Sequence, residues 1–270
     1  MSPIESALLD LNRLEDLARQ DTALHRIDPC AKVLTTLVFL VAVASFNKYA
    51  VAALLPLCIY PIVLIAVGNL QPSFLFKPIL LALPFVFCMA IFNPLFDRVI
   101  IMSIGPAPIS GGWVSFCSIL LRFALSVSAA LLLLASTGFY PICLALRRLG
   151  VPRVFTLQLL FLYRYLFVLA EETTRVARAH ALRAPEQRRM KPSVFASVVG
   201  SLLLRTLGRA RCIHTAMLSR GFTGRISQSG QLDFYCRDAL FLVGWSAFFV
   251  MARLFNLPQI LGEGILNCLP

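Results

Sequence analysis

From Trp113 to Ser136 the chain reads WVSFCSILLRFALSVSAALLLLAS, with Arg122 its only charge. As a helix rising 1.5 Å per residue, such a run reaches about 36 Å, enough to cross a hydrocarbon core of roughly 30 Å. The run does not alternate apolar and polar residues, which excludes a strand of an outer-membrane barrel. Comparable stretches lie on either side. Val33 to Phe46 and Tyr49 to Leu70 precede it. A third run opens at Lys77-Pro78 and passes through Ile79 to Phe92 toward Ile104, with Asn93-Pro94 and Asp97-Arg98 breaking its far end or folding it back. Ala239 to Leu257 is the last. Composition agrees: of 270 residues, 59% are hydrophobic and only 14% charged, and the mean hydropathy is +0.80. Soluble domains carry about 25% charged and 45–50% apolar residues. A cytosolic enzyme, a disulfide-stapled secreted domain and a disordered chain are therefore excluded.

Local signals set the boundaries. Asp28-Pro29 opens the first membrane helix, because Asp caps free N–H groups and Pro suits the first turn. Asn47-Lys48 and Gly68-Asn69 mark turns, and Gly105-Pro106 with Gly111-Gly112 reads as a loop. Pro141 to Leu149 is a short helix that Arg147-Arg148 closes and Gly150 stops. Val154 to Ala170 is apolar around Tyr163-Arg164-Tyr165, and a polar helix follows from Glu171 to Ala184. Pro185 and the run Arg188-Arg189-Met190-Lys191-Pro192 separate it from a helix over Ser193 to Arg220, which ends at Gly221. Residues 1–32 contain Glu5, Asp10, Glu15, Asp16, Asp21 and Asp28, unlike a targeting peptide, so the first apolar run reads as a true span. The eight cysteines form no CxxC pair and read as small buried hydrophobes, and the three histidines lie too far apart for a metal motif.

Charge orients the chain. Residues 139–237 hold 16 basic and 4 acidic side chains, which equals the whole net charge of +12. Positive loops stay in the cytoplasm. With four spans before this region, the N-terminus is also cytoplasmic, and the tail 258–270, free of Lys and Arg, lies outside. The expected organisation is a cytoplasmic segment 1–32, a four-span region 33–138, a basic cytoplasmic or interfacial region 139–230, and a last transmembrane helix with an outer tail, 231–270. The fold class is all-α: a polytopic membrane helix bundle of about five to six spans with a cytoplasmic pair of helices. The inner (plasma) membrane is the expected location. Of the other charges in apolar runs, Arg122 faces the bundle interior or an outer water cavity, Arg164 anchors at the interface, and Arg253 snorkels near a helix end.

Residues 171–220 carry too many charges to span. Ala177, Ala181 and Ala184 form one small-residue stripe, where a neighbouring helix or groove can approach closely. Leu203, Leu207, Ala210 and Met217 line one face of the second helix, with Arg205 and Arg209 on another. Each helix ends on an arginine between small or apolar residues, Leu182-Arg183-Ala184 and Ser219-Arg220-Gly221. An arginine there offsets the negative helix end. It also suits bidentate pairing with a carboxylate at an interface. Both readings are open on the residues alone.

The chain resembles the T component of energy-coupling-factor (ECF) transporters, in its cobalt-type CbiQ branch, over about residues 25 to 257. The resemblance rests on His25-Arg26-Ile27-Asp28-Pro29-Cys30-Ala31-Lys32, where Cys30 stands for the usual Arg, and on Leu144-Ala145-Leu146-Arg147-Arg148-Leu149-Gly150-Val151-Pro152. It continues through Tyr163-Arg164-Tyr165-Leu166-Phe167 and Ala216-Met217-Leu218-Ser219-Arg220-Gly221-Phe222. It implies a non-catalytic scaffold joining two cytosolic ABC-type ATPases to a membrane substrate-binding S component, CbiM-like, for cobalt uptake. A T subunit for nickel or a vitamin is the alternative. The paired ATPase-coupling motifs of the family fall on Leu182, Arg183, Ala184 and on Ser219, Arg220, Gly221. The first departs from the commoner Ala-Arg-Gly form, and Ala177-Arg178-Ala179 is a rival position. No GxxxxGK[ST] occurs, so ATP is expected on the partner subunits and no cofactor in this chain. A self-sufficient secondary carrier would want internal repeats, and a membrane enzyme would want a catalytic set. A nucleic-acid surface would want aromatics among the basic residues, so anionic lipid and the ATPases are the expected partners of the basic region, and nucleic acid is not.

Overall fold

The computed structural model describes residues 22, 24–47, 51–70, 72–96, 100–104, 107–183, 191–222, 224 and 235–254. They form an all-α bundle with one small hairpin. Helix α1 is Pro29–Ser45. Helix α2, Val51–Leu54, a 3-10 turn, Leu55–Cys58, and α3, Ile59–Gly68, run on as one apolar rod. Helix α4 is Ser73–Ala90 and α5 is Phe92–Phe96. Strands β1, Ile100–Ile104, and β2, Ala107–Ser110, pair antiparallel. Then come α6, Gly111–Thr137, α7, Phe139–Arg148, α8, Arg153–Arg183, α9, Pro192–Ser219, and α10, Cys236–Leu254.

Among the described residues, four helical stretches are long and apolar enough to cross a membrane: Val51–Gly68, Leu75–Pro94, Gly111–Thr137 and Arg153–Arg183. Helix α1 is apolar but shorter, at 17 residues. The chain is a multi-pass membrane protein. It divides into two units, Asp16–Ile142 with Leu232–Pro270, and Met1–Glu15 with Cys143–Gln231.

The first unit is a bundle around α6, which packs on α1, α3, α4 and α5, while α10 packs on α1. Ser115, Ser118, Leu125, Ala129 and Leu132 fall on the buried side of α6. The small side chains of Ser115, Ser118 and Ala129 let neighbouring backbones approach closely. At the core, Phe39 stacks 4.7 Å from Tyr60 and 5.2 Å from Phe249, and Trp245 closes edge-on over Tyr60 at 5.0 Å. The Tyr60 hydroxyl meets Thr36 Oγ1 at 3.1 Å, so its one polar atom is satisfied inside an apolar cluster.

Both ends of α1 are fastened by polar groups. Asp28 caps its N-terminus, accepting the Cys30 N–H at 2.7 Å, and Pro29 occupies the first turn. At the other end, Arg122 donates to the Phe46 and Asn47 carbonyls at 2.9 and 2.6 Å. Arg253 donates to the Ser45 carbonyl at 2.9 Å and lies 4.8 Å over the Phe46 ring. Two cations thus meet the free carbonyls at a helix C-terminus, where the backbone dipole is negative. These contacts fix directions: α10 runs parallel to α1, and α6 antiparallel to it.

Several sequence expectations need correction. The third run is broken at its far end, as Asn93-Pro94 and Asp97-Arg98 suggested, and does not continue as helix to Ile104. It stops at Phe96, and Ile100-Ile101, β-branched and followed by Gly105-Pro106, enters a strand instead. Helix α4 starts at Ser73, which places Pro78 inside it rather than at its opening. Gly111-Gly112 is not loop but the buried first turn of α6. Of the described cysteines, only Cys30 and Cys143 are buried, and Cys88, Cys117, Cys212 and Cys236 lie exposed on helices. Burial pushes the Cys143 thiol above its ordinary pKa, so it behaves as a small hydrophobe.

Candidate functional site

The second unit is built on α8 and α9. Helix α8 is continuous across 170–171, where a polar helix was expected to follow an apolar one. No Gly or Pro stands there, so the change in polarity alters the face and not the backbone. The two helices pair antiparallel. Glu172 on α8 accepts from Arg205 on α9 at 3.0 Å. A cavity of about 470 Å³ lies between them, with Phe161, Tyr165 and Leu169 on one wall and Leu207, Ala210 and Met217 on the other. The apolar face expected on α9 thus borders this cavity at Leu207, Ala210 and Met217, although Leu203 stays 57% and Leu207 49% exposed. Arg209, expected on a different face from the apolar residues, lines the cavity with His214.

The end of α9 is a glycine-terminated cap. Arg220 is the C-cap residue, and Gly221 follows with φ +74°. The Phe222 N–H bonds back to the Met217 carbonyl at 3.0 Å, and the Gly221 N–H to Leu218 at 2.9 Å. This is the pattern of a Schellman motif, in which only Gly takes the left-handed position without strain. Phe222 and Met217 both border the cavity, which supplies the apolar contact across the cap. The cap leaves Ser219, Arg220 and Gly221 exposed.

At the end of α8, Leu182 is 81% exposed and Arg183 is exposed beside it. Ala184 lies outside the described residues. Among the described residues, the side chains of Arg183 and Arg220 make no hydrogen bond or ion pair, whereas the rival Arg178 is engaged within the chain. Because α8 and α9 are antiparallel, Arg183 and Arg220 sit at opposite ends of the pair. Counting 1.5 Å per residue outward from Glu172 and Arg205 separates them by roughly 35–40 Å along the helix axes. The sequence motifs are therefore not brought together into one site. They are two separate basic tips.

One polar site had no sequence expectation. In the first unit, Lys32 is only 4% exposed, yet its Nζ donates to the Ser136 carbonyl at 2.9 Å. Asp238, 1% exposed, accepts the Asp28 N–H at 3.0 Å and the Tyr235 N–H at 2.9 Å. Charge in the first turn of an otherwise apolar helix, at Lys32 and again at Asp238, was the available signal.

The sequence profile of the CbiQ family, described as cobalt transport protein, matches residues 20–231. The chain belongs to this family. It is a multi-pass membrane protein of that family. It is also similar to an uncharacterized protein of Methanocaldococcus jannaschii, 29% identical over 125 residues. That match covers 46% of this chain and 43% of the relative, so the chain aligns with less than half of the relative's length.

Proposed function

We propose that this chain is the T component of an ECF-type cobalt importer. It passes the closure of two cytosolic ABC-type ATPases to a membrane S component that binds the ion. The observation that carries this reading is the pair of exposed arginine tips, Arg183 and Arg220, at opposite ends of one helix pair. Two separated tips suit two ATPase subunits, one each. Arginine's planar fork suits a carboxylate in an ATPase groove. The chain itself is non-catalytic in this reading: ATP belongs to the partners, and cobalt is cargo selected by the S component.

Orientation follows from charge: the basic excess of residues 139–237 makes the face that carries it cytoplasmic. The N-terminus lies on the same face, and the membrane is the plasma membrane.

The test is co-purification and uptake. Tagged chain extracted in mild detergent should retain ATP-binding subunits and an S component, and cells should take up Co²⁺ only when all are present. Uptake by this chain alone would favour a self-sufficient carrier and overturn the reading.

A further inference from the structure

The polar site at the inner end of α1 joins segments that lie far apart in the chain. Asp28 and Lys32 open α1. Ser136 stands one residue before the end of α6, and Asp238 lies in the first turn of α10. Residues 138–235, which include both arginine tips, hang between the last two. Their way out begins at Gly138, with φ +78°. Their way back ends at Tyr235, whose N–H is held by Asp238. Both connections are thus tied to residues 28–32, the N-cap and first turn of α1.

The ties are built of buried charge. Lys32 Nζ meets the Ser136 carbonyl at the negative end of α6. Asp238 and Asp28 supply its countercharge. The carboxylates in turn take backbone N–H groups: Asp28 that of Cys30, and Asp238 those of Asp28 and Tyr235. Arg237 adds a bond to the Arg26 carbonyl. Removing Lys32 leaves both carboxylates buried without their cation, and removing either carboxylate weakens what holds Lys32. The far end of α1 is gripped by Arg122 on α6 and Arg253 on α10. Helices α1, α6 and α10 are therefore joined at both ends.

We infer that Asp28, Lys32 and Asp238 are positioning residues: they form the anchor through which displacement of the coupling helices reaches the membrane bundle. A pull on either connection meets the buried ion set before it can unwind α6 or α10. It is then delivered to α1, which carries it to the outer end of the bundle. This inference rests on the T-component reading.

The experiment uses the complete complex in proteoliposomes, with Co²⁺ uptake and ATP hydrolysis measured together. Lys32→Met/Asp238→Asn removes one charge of each sign. Ions taken up per ATP hydrolysed should fall about tenfold or more, within the usual span of coupling energies, while the ATPases still co-purify. Lys32→Arg should keep most of the ratio. An unchanged ratio in the double variant, at matched amounts of assembled complex, would overturn the inference, because a merely stabilising cluster lowers abundance and not the ratio. If the variant does not accumulate, hydrogen exchange on the wild-type complex decides. Peptides covering 28–36, 130–138 and 235–242 should stay protected together when an ATP analogue is added, while 139–152 and 216–222 change. Independent opening of the three would refute the anchor. Failure of the wild-type chain to hold any ATPase counts instead against the T-component reading.

Discussion

Replacing both Arg183 and Arg220 separates docking tips from ordinary helix ends. Both are exposed, and neither has a side-chain partner among the described residues, so replacing them should leave the membrane fold and its abundance intact. Their value would appear only in the complex. Losing one partner of a buried, hydrogen-bonded charge pair costs about 2–5 kcal/mol, and each 1.4 kcal/mol is tenfold in affinity. A single Arg220→Ala change should therefore weaken ATPase binding at least about thirtyfold. The two tips lie far enough apart that their losses add in free energy, so the double Ala variant should lose roughly a thousandfold or more. Arg→Lys discriminates further. Lysine also suits a helix C-terminus, so a capping role predicts little change, whereas a carboxylate dock loses its bidentate fork. The assay titrates purified ATPase pair against the chain in nanodiscs, with Arg178→Ala as control, since Arg178 is already engaged within the chain. A double variant that binds within about threefold of wild type would refute the docking argument, because even one lost pair at the low end of that range exceeds it.

Other expectations follow from the same structure. Gly221→Ala should strain the α9 cap by about 1–2 kcal/mol, because φ is +74° although a Cβ would meet nothing within 4 Å; faster hydrogen exchange at 216–222 would report it. Phe39→Ala should open a cavity beside Tyr60 and Phe249 and lower stability in detergent by about 3–5 kcal/mol, read as a falling unfolding temperature. Reporter fusions after Gln71 and within 185–192 should report cytoplasm, and those at Ser110 and after Pro258 the outside; an outside signal at 185–192 would reverse the orientation. Purified chain alone should bind no ATP in equilibrium dialysis.

What was legible in the sequence was local or periodic. Asp28-Pro29 states a helix start in two residues, and the cap forms as expected, with the carboxylate on the Cys30 N–H. Ser219-Arg220-Gly221 states a helix end, because Gly takes a backbone conformation that other residues resist. The apolar runs were readable because lipid demands unbroken length. Errors arose where one local rule met another. Pro78 suits a helix start, yet α4 begins five residues earlier and accommodates it. Gly111-Gly112 suits a turn, yet small residues also suit a packed first turn of α6. The polarity change after Ala170 looked like a boundary, yet nothing there breaks the backbone.

The Lys32 site was hidden for a different reason. Its bonds connect residues 104 and 210 positions apart, and no periodicity relates them. Read singly, Lys32 is a charge near a membrane interface, where a long side chain would ordinarily reach back to water. Instead it is buried and turns toward a helix end. Burying an ammonium is expensive unless carboxylates and carbonyls surround it, and such groups were available only because α6 ends and α10 begins beside α1. The cation and the three helix ends therefore require one another. An apolar residue at position 32 would pack as well within α1, but it would leave the carboxylate of Asp238 buried without a cation. The arrangement specifies which helix ends meet, and those ends are the two that flank residues 138–235 in the chain.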